Sequence, residues 1–252
     1  MKNRLFPLAL LAALFAAGAA GAQPAATQVL FIGNSITNHN RMPSLLAELA
    51  GNEGVVPRLE IKDETLALAR FRDQLLRDSS WSPLGAIRRG QWDIVILQGH
   101  SLEPLDDLEG FLLGAGRLAD EVRAAGAEPL FLQTYSFPVD SAVYQEGWSG
   151  GSPAAMLAKI ADAYRLAAER ARARVVPIGE AFQLVSALHP EIGLYSPDRV
   201  HPSICGSFLM ASMLFTVLTG KDPRSCSWFP IGVSEEEARV LREAAWQVCG
   251  QP

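Results

Sequence analysis

The chain has 252 residues and is 49% hydrophobic, long and apolar enough for one substantial buried core. Its 22 basic residues are outnumbered by 27 acidic ones, a formal charge of −5. That balance excludes a nucleic-acid partner, which needs a basic face to displace counterions. Arg165, Arg170, Arg172 and Arg174 do cluster, but Glu169 and alanines interleave them, so they read as a solvated helix face.

Lys2 and Arg4 precede an almost wholly apolar stretch, Leu5 to Ala17, and Ala20-Gly21-Ala22 puts small residues at a cleavage position. This predicts a signal peptide over 1–22 and a single exported domain over 23–252, periplasmic or extracellular. The apolar run falls short of the ~20 residues a bilayer span needs, and no later run is long enough, so no membrane span is expected after cleavage. Beyond it, short apolar runs alternate with helical patterns. Strands are expected at Gln28–Ile32, Arg58–Ile61, Asp93–Leu97, Pro129–Leu132 and Val175–Ile178. Helices are expected at Pro43–Ala50, Leu105–Ala125, Pro153–Ala173, Glu180–Leu188, Ser203–Leu218 and Ser234–Val248. Such alternation implies a mostly parallel sheet of five strands with helices on both faces, because each parallel pairing needs a crossover. The functional loops of such sheets gather at the carboxyl ends of the strands.

Three residue sets fall at that edge. Gly33-Asn34-Ser35 follows the first strand, Gln98-Gly99-His100-Ser101 the third, and a long insertion, Thr134 to Ser152, the fourth. A Gly-x-Ser turn exposes a hydroxyl beside backbone amides, although such a serine can equally cap a helix. Near the C-terminus, Asp198 and His201 stand three residues apart in a loop flanked by Pro197 and Pro202. That spacing presents a carboxylate and an imidazole together. Serine becomes a nucleophile when an imidazole takes its proton, and an acceptor on the far ring nitrogen holds that imidazole in one tautomer.

With both motifs in view, the chain resembles the SGNH/GDSL-type hydrolases. Gly33-Asn34-Ser35-Ile36 is similar to that family's first block, with Asn where Asp is usual. Asp198-Arg199-Val200-His201 matches its last block, Asp-x-x-His, at every defined position. The resemblance implies an α/β fold, a flavodoxin-like three-layer α/β/α sandwich. It implies Ser35 as nucleophile, His201 as general base and then acid, and Asp198 as the residue orienting the imidazole, with no cofactor and no metal. The family's second block supplies a glycine amide to the oxyanion hole, but here the stretch is Lys62-Asp63-Glu64-Thr65-Leu66, which leaves Thr65 as the expected donor segment. The third block normally supplies an asparagine. Gln98-Gly99-His100 stands there instead and is similar to a Gln-Gly pair in some carbohydrate acetylesterases. Gln98 or His100 is a candidate donor; a structural hydrogen bond for Gln98 and a rim position for His100 are the alternatives.

The implied activity is hydrolysis of short acyl esters, such as O-acetyl groups, with a small-molecule or carbohydrate ester as substrate. A catalytically silent binding protein and a lipase or thioesterase for longer chains remain open. Tyr135, Phe137, Tyr144 and Trp148 in the long insertion either stack on a sugar or pack the loop. Gly114-Ala115-Gly116 mimics a dinucleotide fingerprint but lies in a helical pattern with no strand ahead, so it reads as helix packing. His39 and His189 lack partners at metal-ligand spacing; His39, close to Ser35 in sequence, reads as a solvated loop residue, with a place lining the cleft as the alternative. Arg199 reads as a surface residue. Of Cys205, Cys226 and Cys249, the last two are the favoured pair for a disulfide, which export permits.

Overall fold

The computed structural model describes residues 25–76 and 82–250; the expected signal peptide lies outside them. The strands are β1 (Thr27–Gly33), β2 (Leu59–Thr65), β3 (Ile94–Leu97), β4 (Glu128–Leu132) and β5 (Arg174–Val176). They pair in the order β2-β1-β3-β4-β5, every pairing parallel. The chain leaves β1 toward one side for β2 and then crosses back to place β3 on the other. That reversal makes a crevice beside the carboxyl end of β1.

Alternation along β1 dictates the layers. Val29 and Phe31 face one way and pack with α2 (Met42–Asn52), α8 (Ile178–Leu188), α9 (Ile204–Thr219) and α10 (Glu235–Cys249). Leu30 and Ile32 face the other way, toward α3 (Phe71–Leu75), α4 (Pro83–Arg89), α6 (Leu108–Ala124) and α7 (Pro153–Ala171). The result is a three-layer α/β/α sandwich. Helix α9 is apolar nearly all round because it is covered by both α2 and α10. Serine side chains mark the helix starts: Ser152 accepts from Ala155 N, Ser203 from Gly206 N, and Ser234 forms a capping box with Glu237.

Several expectations are corrected. The helix expected over Leu105–Ala125 is broken at Asp107, giving α5 (Glu103–Asp106) and α6, because the Asp107 side chain caps the second helix at Gly110 N. The short helices α3 and α4, and α1 (Ser35–Asn38), carry too few residues to show a period. Of the insertion's aromatic residues, Tyr135 and Phe137 are buried, and Tyr144 and Trp148 are half-buried against the core on the α6/α7 face, in line with the loop-packing reading.

All three cysteines are free thiols. The main-chain oxygen of Cys226 receives the Arg242 guanidinium. Cys249 lies seven residues beyond Arg242 on α10, about 10 Å farther along the helix axis, and the expected Cys226–Cys249 disulfide is not formed. Burial pushes the Cys205 and Cys226 thiols up to about 11 and Cys249 up to about 12.

Gly33 closes β1 where space runs out. A Cβ there would stand 2.5 Å from Thr37 Oγ1 and 2.9 Å from Gln98 Oε1, both on buried side chains. Gly33→Ala is therefore expected to destabilise the fold by about 1–3 kcal/mol through overpacking. Urea unfolding at equilibrium checks this; an unchanged midpoint contradicts it.

Candidate functional site

Ser35 opens α1 directly beyond β1. Asn34, not Ser35, is the cap: its Oδ1 accepts from Ile36 N at 3.0 Å, which leaves the Ser35 hydroxyl uncommitted to the helix. As the first residue of α1, Ser35 has no carbonyl one turn back for its own amide, and that amide has no backbone acceptor among the described residues.

The turn is held from beneath by polar side chains with almost no exposed surface. Gln98 Oε1 accepts from Asn34 N at 3.1 Å and from Thr37 Oγ1 at 2.8 Å. The Asn34 N–H fixes the orientation of the Gln98 carboxamide, since only an oxygen can face that donor. Its nitrogen then donates to Gly99 O. Asn34 Nδ2 donates to Ala69 O and Gly99 O, at 3.2 and 3.3 Å, tying the turn to the segments after β2 and β3. Gln74 Nε2 reaches Gln98 O at 2.9 Å.

The later loop is shaped by Asp198. Its Oδ1 accepts from Val200 N and His201 N, both at 3.0 Å, which folds the chain so that residues three apart point the same way. Ser196 N donates to His201 O at 2.8 Å and Tyr195 bridges to Pro202, closing the loop at its base. The buried Tyr135 donates to Val200 O at 3.0 Å, and Tyr195 to Ser136 O at 2.9 Å, so the loop is bolted to the segment after β4.

These two assemblies meet. His201 Nδ1 lies 2.6 Å from Asp198 Oδ2, and His201 Nε2 lies 2.8 Å from Ser35 Oγ. The His201 hydrogen bond, with the two backbone amides, holds the Asp198 carboxyl down at about 2, so it is ionised at any working pH. Against that anion Nδ1 carries the ring proton, and Nε2 is left with a lone pair toward the serine hydroxyl. Chemically, the arrangement can remove a proton from Ser35.

The other expected residues lie elsewhere. Gln98 has no accessible surface and braces the turn, which fits the structural hydrogen bond left open for it beside the oxyanion role. Gly99 turns its carbonyl to Asn34 and Gln98 and packs against Glu103 and Phe71. His100 accepts from Leu102 N through Nδ1 at 3.2 Å, and burial, then nearby Arg70, lowers its pKa. Thr65 ends β2 opposite Gly33, and its hydroxyl accepts from Asn38 Nδ2 at 3.3 Å. Beside it, Ala69 N returns to Leu66 O in a tight turn with Leu68 at φ 58°, a conformation usually left to glycine. His39 does not stand free in solvent: it is half-buried at the cleft, the alternative its nearness to Ser35 left open, and stacks on His201 with ring centroids 4.8 Å apart. Arg199 pairs with Asp140 at the surface, as its sequence context suggests.

No protein-family model matches the chain, and no curated protein matches it. Solved structures do. A "putative SGNH hydrolase" from Slackia heliotrinireducens superposes with a TM-score of 0.65 at 28% identity, over 78% of this chain and all of that one (100%). A DUF4886 family protein from Bacteroides uniformis gives 0.76 at 17% identity, over 88% and 94% of the two chains. Axe2, an acetylxylan esterase from Geobacillus stearothermophilus, gives 0.56 at 17% identity, over 79% and 96%. At 17% identity, the latter two speak to fold alone.

Under the floor of the site, Glu103 is fully buried and accepts from Phe71 N at 3.0 Å and His100 N at 3.3 Å. Burial raises its carboxyl to about 7 from the ordinary 4.5, against the pull of those amides and Arg70. A raised folded value means that its stabilising contribution is whole below pH 4.5 and disappears as pH climbs through about 7. Glu103→Gln cannot ionise, so its melting temperature should gain on wild type between pH 5 and pH 9. Thermal melts across that range check this; a difference that does not change with pH contradicts it.

Proposed function

Because this chain has the fold of the SGNH/GDSL-type hydrolases, we propose that it is an exported serine esterase that cleaves short acyl esters through an acyl-enzyme. What carries the reading is the continuous hydrogen-bonded run from Ser35 Oγ through His201 to Asp198. Ser35 attacks the ester carbonyl as His201 Nε2 takes the hydroxyl proton. The imidazolium so formed is stabilised by ionised Asp198. His201 gives the proton to the leaving alcohol, and the acyl group remains on Ser35. A water molecule, deprotonated by the same nitrogen, then releases the acid.

The tetrahedral oxyanion is held by backbone. The Ser35 amide is one donor, and amides of the Ala67–Leu68 turn are the other, in the place where the family's second block carries glycine. The left-handed Leu68 supports that assignment, since strain of this kind concentrates where a main-chain group must be aimed. Gln98 then acts one step back, by holding Asn34 and Thr37 so that the Ser35 amide keeps its direction. Removing an oxyanion donor costs ~10²–10³-fold in turnover, so a site that relies on amides alone is expected to be slower than one with an asparagine besides.

For substrate, the acetylxylan esterases among the structural neighbours favour a small acyl group on a carbohydrate. Export rests on the leader pattern of residues 1–22. Hydrolysis of aryl acetate, butyrate and octanoate by wild type should fall with acyl length. Octanoate preference would instead favour a lipase or thioesterase. Ser35→Ala should lose about 10⁴-fold or more of the rate and all labelling by a fluorophosphonate. Asp198→Asn should lose about 10⁴-fold, because its amide would donate to Nδ1 and leave the ring proton on Nε2, facing the serine. Equal turnover in wild type and Ser35→Ala would overturn the mechanism; no Ser35-dependent labelling in wild type would favour a binding protein.

A further inference from the structure

His39 and Asn40 stand at a sharp reversal between α1 and α2. Asn40 and Arg41 both adopt φ 53°, consecutive left-handed residues of which neither is glycine. Such strain persists where surrounding contacts enforce it, and here the Asn40 side chain is held by the end of the His201 loop and by the first turn of α9. Asn40 Nδ2 donates to Pro202 O and to Ser207 Oγ, both at 2.9 Å. Ser207 Oγ lies 3.4 Å from His39 O. The reversal lays the His39 ring on the His201 ring, with centroids 4.8 Å apart and planes 16° from parallel.

The His39 ring is itself fixed. Its Nε2 is 3.2 Å from Ser196 Oγ, and Ser196 donates its own proton to Pro202 O at 2.9 Å. Ser196 must then accept from His39, which puts the proton of His39 on Nε2. One edge of His201 is bound by Asp198 and the other meets Ser35, but neither hydrogen bond stops the ring from tilting about the line joining them. A flat neighbour against one face does.

We propose that His39 is a positioning residue for His201, backing its face so that Nε2 stays aligned with the Ser35 hydroxyl as the proton passes. This rests on the esterase reading and adds to it a residue outside the family's two recognised blocks. The backing ring must be uncharged, because an imidazolium facing a second imidazolium would oppose proton uptake by His201. The surroundings favour this: burial, then His201, lowers the His39 pKa, and only Asp198 among the facing groups raises it.

Steady-state kinetics on an aryl acetate test the proposal with His39→Ala, His39→Phe and His39→Leu, with thermal melts alongside. Misalignment without loss of substrate contacts predicts that His39→Ala lowers kcat about tenfold while KM stays within about twofold. His39→Phe restores a flat face and should recover to within about threefold of wild type, ahead of His39→Leu, with kcat independent of melting temperature. Wild-type kcat in His39→Ala overturns the proposal. So does a raised KM with kcat intact, which would put His39 on the substrate. Should His39→Ala melt below the assay temperature, Phe against Leu decides: equal losses overturn the positioning role. A wild type without Ser35-dependent turnover overturns the esterase reading and this one together, whereas full activity in His39→Ala overturns this one alone.

Discussion

The contact between Ser35 and His201 joins segments 166 residues apart, and neither segment could hold it alone. A single hydrogen bond contributes only about 0.5–1.5 kcal/mol to a folded chain, far too little to bring two loops together against their entropy. The sheet does that work first. Parallel pairing of β1 with β2 and β3 fixes where β1 ends, and the packing of α9 (Ile204–Thr219) fixes where the Asp198–His201 loop ends. The hydrogen bond then needs only to choose the last fraction of an ångström.

Two different chemistries maintain that choice. On the serine side the holding groups are buried amides: Gln98, Asn34 and Gln74 form a hydrogen-bonded lattice in which each carboxamide has a defined orientation. Breaking one member would strand its partners, so the lattice resists gradual loosening. On the histidine side the loop is half exposed and is held by its own Asx turn, by two tyrosine hydroxyls and by Asn40. Rigid floor and tethered loop meet at the one place where a proton has somewhere to go.

The fold was largely legible in the sequence, because buried parallel strands such as Ile94–Leu97 announce themselves as unbroken β-branched runs and the long helices as periodic ones. The Ser35, Asp198 and His201 positions were legible because two short motifs fix side chains locally. What was not legible depends on the third dimension. The Asn38-His39-Asn40 run is polar, short and without period, and only the path of the chain from Asn40 to Pro202 turns a loop histidine into a ring stacked on another. Gln98 read as readily as a donor at the site as a brace beneath it; its burial, which favours the brace, is a property of the whole fold. The Cys226–Cys249 pairing failed for a similar reason, since sequence does not tell how far along α10 the chain is gripped.

Those cysteines carry a consequence for how the molecule meets its surroundings. Thiol exchange and metal capture both proceed through the thiolate. Groups that ionise only near pH 11 or 12 present almost none of it at neutrality. Among the described residues no cysteine is cross-linked, and the buried thiols offer little anion for exchange at neutral pH.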